Sequence, residues 1–264
     1  MSAVLGGSIP AGIPRTALVT GGARRIGRAI VLALAESGFA VAVHGRRPSA
    51  ELEATVGAAR ECGVAAAAVH ADLAREAETA GVVAAATAAI GPLGVLVNNA
   101  STFERDEWHD TTRESWDAHF EPNLRAPFVL MQHFAAGLPP EAEGVVINLL
   151  DQRVWSLTPH FVSYSVSKAG LWALTRSMAL ALAPRIRVNG IGPGPALPSP
   201  RQTEEQFARQ NAGVPLHHGT NPEEIGRAVL AILSLPALTG QMLALDGGQH
   251  LQWGASRGQP PASE

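Results

Sequence analysis

Three residue types are nearly absent from this 264-residue chain. It contains one cysteine, one tyrosine and one lysine, the last beside nineteen arginines. The single Cys62 excludes an intrachain disulfide and a thiolate metal cluster. The formal net charge is −3, unlike the strongly basic surface of a nucleic-acid-binding protein, so no nucleic-acid partner is expected.

Long apolar runs are absent as well. The most apolar stretch, residues 81–97, is interrupted by Gly91, Pro92 and Gly94, whereas a membrane-spanning helix needs about 20 unbroken apolar residues. The first fourteen residues contain no Lys or Arg and so lack the basic start of a secretory signal. The sequence therefore predicts a soluble, cytoplasmic protein without a membrane partner. The spacing of its histidines predicts no metal site.

The chain contains enough apolar residues to form one large hydrophobic core. It is 46% hydrophobic, with a mean hydropathy of +0.10. No repeat and no internal linker divides it, so we predict one domain over residues 15–253. Residues 1–14 and 254–264 are rich in small residues and proline and are predicted to be flexible tails.

Short β-branched runs alternate with Ala-rich stretches along the whole domain. The predicted strands are 16–20, 39–44, 64–70, 93–97, 145–149, 187–191 and 242–245. The predicted helices are 26–37, 50–61, 75–90, 113–120, 124–137, 164–182 and 222–235. The strands are almost continuously apolar, as expected for a mainly parallel sheet covered by helices on both faces. The fold class is therefore α/β, a single doubly wound Rossmann domain with seven strands and with ligands at the carboxyl ends of the strands.

A glycine-rich turn follows the first predicted strand. Gly21 and Gly22 permit a tight turn, Gly27 permits close packing of helix on strand, and the helix that begins at Ile26 directs free N–H groups at an anion. The same turn contains Arg24 and Arg25. These residues are predicted to bind the phosphates of a dinucleotide.

The end of the second predicted strand indicates which dinucleotide is bound. His44 is followed closely by Arg46 and Arg47, and residues 39–50 contain no acidic residue. An acidic residue at this place favours NAD, whereas cations accommodate the 2′-phosphate of NADP. NADPH is therefore the predicted cofactor, and a solvated basic turn is the alternative.

Two further loops begin at the same edge of the sheet, after the third and fourth predicted strands. Asp72, with Leu73 beside it, is placed either to meet the adenine or to cap the following helix. After the fourth strand come Asn98, Asn99, Ala100 and Ser101, of which Asn98 can bridge the backbone of neighbouring strands. Asn99, Ala100 and Ser101 are predicted to contact the cofactor.

The only tyrosine and the only lysine lie four residues apart. Tyr164 and Lys168 share one face of a predicted helix, where the ammonium favours the phenolate and makes the tyrosine a plausible general acid. Arginine replaces lysine everywhere else. A bulkier guanidinium cannot replace a compact ammonium that must also contact ribose hydroxyls, and a chance helical pair is the alternative reading.

Taken together, these motifs resemble the short-chain dehydrogenase/reductase family over residues 15–250. The shared elements are the turn at 20–27, Asn98-Asn99-Ala100, Asn123, the Tyr164–Lys168 pair, residues 187–190 with Pro193-Gly194, and Asp246-Gly247-Gly248. The resemblance implies that Lys168 binds the nicotinamide ribose and that Asn123 holds a water of a proton relay. It also implies that Pro193 and Gly194 contact the cofactor and that the protein is a homotetramer.

One position departs from most of that family. Asp151 stands where a serine is usual, thirteen residues before the tyrosine. This exchange is similar to the pteridine reductase branch, as are Arg25, His44 with Arg47, and Ser101 followed by Phe103. The resemblance implies that Phe103 stacks on a pterin ring, with packing under its own loop as the alternative, and that Ser101 contacts the pterin or a cofactor phosphate. It also implies that Asp151 and Tyr164, with a water, supply a proton to the pterin N5.

The function expected from the sequence is thus an NADPH-dependent pteridine reductase that acts on a 7,8-dihydropterin such as dihydromonapterin. Asp151, Tyr164, Lys168 and Asn123 are the expected catalytic residues. A general carbonyl reductase, for instance of 3-oxoacyl thioesters, is the first alternative. A non-catalytic NADPH-binding sensor is the second. Trp253 is a candidate for reaching the site of a neighbouring subunit.

Overall fold

A computed structural model describes residues 8–199 and 201–252. Seven strands form one sheet that is parallel throughout, in the order β3-β2-β1-β4-β5-β6-β7. The strands are β1 (Thr16–Val19), β2 (Ala40–Gly45), β3 (Ala66–His70), β4 (Val95–Asn98), β5 (Gly144–Leu149), β6 (Ile186–Pro193) and β7 (Met242–Leu245). The order reverses beside β1 and β4, so the carboxyl ends there open into the crevice where doubly wound folds bind ligands. The predicted fold class is confirmed.

Helices cover both faces of this sheet. They are α1 (Arg25–Glu36), α2 (Ala50–Glu61), α3 (Glu76–Ile90), α4 (Arg113–Phe120), α5 (Ala126–Gly137), α6 (Val162–Ala181), α7 (Glu204–Ala212) and α8 (Pro222–Leu233). Side chains alternate along each strand, and β1 shows the result: Val19 belongs to the core under α1 and α8, whereas Leu18 belongs to the core under α3 and α5. Two buried apolar layers therefore hold the strand ends in fixed positions.

The predicted elements match the observed ones to within two residues, but α7 was not predicted. Its sequence has no apolar stripe, because the helix buries none of its residues. A readable signal was present at its start, where Thr203 and Gln206 form a reciprocal capping box. The turn at Glu121–Arg125 is π-helical and joins α4 to α5.

The predicted start of the domain at residue 15 is too late. Ile13 is 2% exposed and packs in the core, and Gly12 O accepts a hydrogen bond from Glu143 N at 2.9 Å. An apolar side chain buried in this way fixes the chain before residue 15. Trp253 and the predicted tail at 254–264 lie outside the described residues. Within the described ranges, no helix combines the length and apolarity needed to cross a membrane.

Candidate active site

A cavity of about 160 Å³ opens at the carboxyl edge of β5 and β6. The chain segments that follow β5, β6 and β7 form most of its wall. The residues that line it are Phe103, Asp151, Gln152, Arg153, Tyr164, Pro193, Gly194, Pro195, Ala196, Leu197, Ser199, Gln202, Gln210 and Gln249. Three of the predicted substrate-binding residues, Phe103, Asp151 and Tyr164, are among them.

Asp151 and Tyr164 form one hydrogen-bonded unit in this cavity. The Tyr164 hydroxyl donates to Asp151 Oδ2 at 2.9 Å. Asp151 lies two residues beyond the end of β5, and its Oδ1 accepts the N–H of Arg153 at 2.8 Å, which caps a short 3₁₀ turn. Tyr164 lies in the first turn of α6 and is 6% exposed. A carboxyl and a phenol in contact give the cavity a pair of groups that can carry and deliver a proton.

Lys168 lies one turn further along α6 and is 3% exposed. Its ammonium donates to Leu149 O at 2.7 Å and lies 5.8 Å from the centroid of the Tyr164 ring. Burial lowers the pKa of Lys168 to about 8, and the nearby Asp151 carboxylate opposes that shift. The predicted side-by-side placement of the phenol and the ammonium is therefore present, with the ammonium anchored to the end of β5.

Asn123 connects the loop after β4 to α6. It is completely buried in the π-helical turn, where its Oδ1 accepts from Thr102 N at 2.8 Å and from Ser101 Oγ at 3.1 Å. Its Nδ2 donates to Thr102 O and to Ser167 Oγ. The side chain is therefore committed to holding the loop that carries Ser101 and Phe103. A water relay at Asn123 stays a prediction.

Phe103 forms part of an aromatic cluster at the cavity wall. Its ring stacks on Phe161, with centroids 4.7 Å apart and planes 6° apart, and meets the Tyr164 ring edge-on at 4.7 Å. Phe161 has φ +57°, a left-handed conformation that is unusual for a residue with a large side chain. One face of Phe103 is thus covered by Phe161, and the Arg201 guanidinium lies 5.8 Å from the centroid of the same ring.

Arg153 is a site residue that the sequence analysis missed. Its guanidinium lies 3.5 Å from Asp151 Oδ2, and both side chains are 15% exposed. The same guanidinium lies over the rings of Phe103 and Phe161, at 5.4 and 5.1 Å from their centroids. Arg153 therefore places a cation between the carboxylate and the aromatic cluster. No sequence motif identified Arg153, because nothing in its spacing distinguishes it from the other eighteen arginines.

A buried polar network behind this wall was also missed. His119 Nδ1 lies 2.7 Å from Ser163 Oγ, and Ser163 Oγ in turn donates to Asp106. His119 Nε2 accepts the backbone N–H of Glu104 at 3.0 Å, so the proton of the neutral ring is on Nδ1. Burial lowers the pKa of His119, which favours this neutral form. The network connects the Phe103 loop, α4 and the start of α6, which are far apart in sequence.

At the cofactor end, the glycine turn is as compact as predicted. Gly21 has φ +62°, and a Cβ on Gly27 would stand 2.1 Å from Gly21 O. Asn99 Nδ2 donates to Thr20 O at 2.8 Å and to Gly21 O at 3.1 Å. Thr20 Oγ1 accepts the N–H groups of Asn99 and Ala100. The amide of Asn99 therefore braces the turn.

The four predicted phosphate-binding arginines, Arg24, Arg25, Arg46 and Arg47, are all exposed. Arg25 has φ +52°, a left-handed conformation that glycine adopts more readily than other residues. Its guanidinium donates to Pro198 O at 3.0 Å, which ties the turn to the segment after β6. Ile26, also expected at the cofactor, is half-buried and packs against the core under α1.

Three of the predicted cofactor residues also have contacts within the protein, and their contact with the cofactor stays a prediction. His44 is 3% exposed, and both of its ring nitrogens bond to backbone, to Gly21 N at 3.2 Å and to Ala71 O at 3.0 Å. Burial lowers its pKa, so the ring is neutral, holds the turn and has no free nitrogen for a phosphate. Leu73 buries its side chain in the core. Asp72 does not cap α3, because its Oδ1 accepts from Ala74 N in a preceding turn.

Pro193 ends β6 and Gly194 follows it, both at the mouth of the cavity. Gly194 N donates to Leu245 O at 3.0 Å, and a Cβ on Gly194 would stand 2.7 Å from the Asp246 backbone. The close approach explains why a glycine stands here. Contact between these two residues and the cofactor stays a prediction.

Comparisons with known proteins agree with this architecture. Residues 21–250 match a family model described as "Enoyl-(Acyl carrier protein) reductase". The chain is 33% identical to the probable galactose dehydrogenase GalD of Rhizobium meliloti, over 89% of this chain and 94% of that protein. It is 32% identical to the 3-oxoacyl-[acyl-carrier-protein] reductase FabG of Staphylococcus aureus, over 90% and 98%.

Solved structures are more similar still. The FolM alternative dihydrofolate reductase 1 of Brucella canis, complexed with NADP, superposes with a TM-score of 0.90 at 46% identity, over 95% of this chain and 100% of that one. The corresponding protein of Brucella suis, also with NADP, gives 0.88 and 47%, over 93% and 98%. With the glycine turn, the parallel sheet and the Tyr164–Lys168 pair in place, the chain belongs to the short-chain dehydrogenase/reductase family and is an oxidoreductase.

Proposed function

We propose that the protein is an NADPH-dependent pteridine reductase that converts a 7,8-dihydropterin, such as dihydromonapterin, to the tetrahydro form. The observation that carries the proposal is the contact between Asp151 and Tyr164 at 2.9 Å, in a cavity walled by Phe103. A carboxyl group beside the phenol can donate a proton to a ring nitrogen, and an aromatic wall can stack on a flat heterocycle. The similarity to proteins described as alternative dihydrofolate reductases supports the same chemistry.

The turn at residues 20–27 fits a dinucleotide. A Cβ on Gly27 would clash with Gly21 O, so the turn lies directly against the start of α1, where backbone N–H groups are free. Arg25 and Arg47 lie exposed at this edge, as a 2′-phosphate requires, and the similar Brucella structures contain NADP. The chemistry supplied by bound NADPH is hydride donation, here to the pterin C6 atom.

The chain's own groups then complete the reduction. Asp151 and Tyr164 deliver one proton to the pterin N5, so that the C6–N5 double bond gains a hydride and a proton. Lys168 fixes the position of Tyr164 relative to the end of β5 through its hydrogen bond to Leu149 O. Arg153, at 3.5 Å from the carboxylate, orients Asp151 toward the cavity.

The test is a substrate panel with the purified protein, with NADPH oxidation followed by absorbance. The panel contains 7,8-dihydromonapterin, 7,8-dihydrobiopterin, dihydrofolate and an acetoacetyl thioester. Saturable turnover of a dihydropterin is the expected result. Turnover of the thioester alone would instead favour a carbonyl reductase, like the 3-oxoacyl-[acyl-carrier-protein] reductase of Staphylococcus aureus. NADPH binding without turnover of any substrate would indicate a sensor.

The homotetramer expected from the family is also a proposal. The outer side of α6 leaves Val166 and Leu180 at 44% and 84% exposure, and Trp155 nearby is 44% exposed. Apolar side chains exposed in this way are typical of subunit interfaces. Light scattering after size exclusion tests the proposal, with an expected mass of four times the 27.5 kDa chain.

A further inference from the structure

Amide side chains make up much of the wall around Asp151 and Tyr164. Four glutamines line the cavity, and each comes from a different segment of the chain: Gln152 after β5, Gln202 after β6, Gln210 in α7, and Gln249 after β7. A carboxamide both donates and accepts hydrogen bonds and carries no net charge. Such a wall suits a ligand with neutral polar groups.

Two of these glutamines are connected to each other by a hydrogen bond, and one of them, Gln202, has a further N–H group. Gln202 Oε1 accepts from Ser199 N at 3.0 Å, and Gln202 Nε2 donates to Gln210 Oε1 at 2.8 Å. A carboxamide nitrogen has two hydrogens, so the second N–H of Gln202 is available to a ligand. Gln249 is half-buried, and its Oε1 lies against Gly194, on the cavity wall. These amides place hydrogen-bond donors and acceptors on the cavity wall.

Charge is nearly balanced around the same cavity. Among the described residues that line it, the charged ones are Asp151 and Arg153, which lie 3.5 Å apart. At the rim, Arg201 Nη1 bonds to Glu104 Oε2 at 2.6 Å. Arg25 reaches the segment after β6 from the cofactor side and is predicted to bind the cofactor phosphates. Among the described lining residues, a ligand with a carboxylate tail therefore meets one cation, Arg153, which Asp151 already pairs.

We infer that this cavity selects pterins whose side chain is short, neutral and hydroxylated, and that Gln202 and Gln249 bind its hydroxyl groups. The inference rests on the proposed pteridine reductase function and names the feature of the substrate that the enzyme recognises. Hydroxyl groups pair with the amides on both sides, whereas an apolar or anionic tail leaves these polar groups unpaired. The glutamines are specificity-determining residues, distinct from the Asp151–Tyr164 pair that transfers the proton.

Three dihydropterins that differ only in the C6 substituent test the inference. They are 7,8-dihydromonapterin with its trihydroxypropyl group, 6-methyl-7,8-dihydropterin without hydroxyl groups, and dihydrofolate with its anionic tail. For the wild-type protein, kcat/KM is expected to be at least about tenfold higher for the first than for the other two, the effect of one or two good hydrogen bonds. Calorimetry on the NADP⁺-loaded protein should show the same order of Kd.

The variants Gln202→Met and Gln249→Met keep the size of the side chain and remove the amide. Each should lower kcat/KM for dihydromonapterin about tenfold and leave the value for 6-methyl-dihydropterin within about twofold of wild type. The methyl substrate thereby separates hydroxyl recognition from any effect on the segment that Gln202 holds. Gln132→Met, an exposed change on α5, is the matched control and should alter neither value.

Either of two results overturns the inference: equal losses on both substrates in the two variants, or a wild-type preference for dihydrofolate. Both leave the pteridine reductase function standing, because dihydropterins are still reduced. Turnover of the acetoacetyl thioester without turnover of any dihydropterin would instead overturn the proposed function together with the inference.

Discussion

The turn at residues 20–27 and the cavity around Asp151 lie at the same edge of the sheet, yet they are held in different ways. The turn is braced by backbone and by neutral side chains: Asn99 Nδ2 donates to Thr20 O, Thr20 Oγ1 accepts from Asn99 N, and His44 Nδ1 accepts from Gly21 N. The cavity is held by charged and aromatic side chains, among them Arg153 and Phe103. A turn built from backbone groups can bind the cofactor in any dinucleotide-dependent reductase. The cavity is built from side chains, and we expect it to determine the substrate.

The largest expected effect falls on the proton donor. Tyr164→Phe removes the hydroxyl that donates to Asp151 and keeps the ring that packs on Phe103. Turnover of the dihydropterin should fall about 10²- to 10⁴-fold, the usual contribution of a general acid, with NADPH affinity unchanged. Steady-state kinetics and a fluorescence titration with NADPH measure the two quantities. Turnover near the wild-type rate would remove Tyr164 from the mechanism.

The next largest effect is expected for a change in the backbone of the turn at residues 20–27. Gly27→Ala places a Cβ 2.1 Å from Gly21 O, so the turn must shift. Forcing a group into such a contact costs about 1–3 kcal/mol, and the Kd for NADPH should rise roughly 10- to 100-fold. Gly57→Ala in α2 is the matched control, since its Cβ meets nothing within 4 Å. Equal NADPH binding by both variants would mean that the turn does not hold the cofactor.

A smaller effect separates NADPH from NADH. Arg25→Gly keeps the left-handed backbone that Arg25 adopts, and Arg47→Ala removes an exposed cation at the end of β2. Each change should lower kcat/KM for NADPH roughly tenfold and leave that for NADH unchanged, the cost of one charge-assisted hydrogen bond. Arg113→Ala, with a side chain 79% exposed on α4, is the control. An unchanged NADPH preference in both variants contradicts the predicted 2′-phosphate site.

The smallest effect is on the pH profile. Burial lowers the pKa of Lys168 to about 8, so its ammonium is present below that pH and is lost as the pH rises through it. Because kcat/KM reports groups of the free enzyme, it should fall about fivefold from pH 8 to about pH 9. The same shift means that folding stability rises as the pH rises from about 8, since the unfolded lysine still binds its proton there. A profile that is flat over this range would mean that the ammonium is not needed.

The two regions also differ in how far the sequence predicted them. The turn was readable because Gly21, Arg25 and Gly27 lie within seven consecutive residues and their roles follow from local backbone geometry. In the cavity, Asp151 and Tyr164 were readable through their fixed spacing in a known family. His119 and Ser163 were not, because they lie 44 residues apart and only the packing of α4 on α6 joins them.

The structure also gives three side chains contacts that the sequence did not indicate. His44 was predicted at the cofactor, but in the structure two backbone groups occupy its ring nitrogens. Leu73 was predicted there too, yet its side chain lies in the core. Ile13 was assigned to a tail because a single isoleucine among Gly and Pro shows no periodicity, and only its burial reveals its role.

The central claim is that Asp151 makes this chain a pteridine reductase. Its most direct test is Asp151→Ser, which installs the residue usual in the resembled family, assayed on 7,8-dihydromonapterin and on an acetoacetyl thioester. The account predicts a loss of about 10²-fold in kcat/KM for the pterin, with no loss for the thioester. Asp117→Ser on α4, with a half-exposed side chain, should leave both values unchanged. Reduction of the pterin by Asp151→Ser at the wild-type rate would contradict the account.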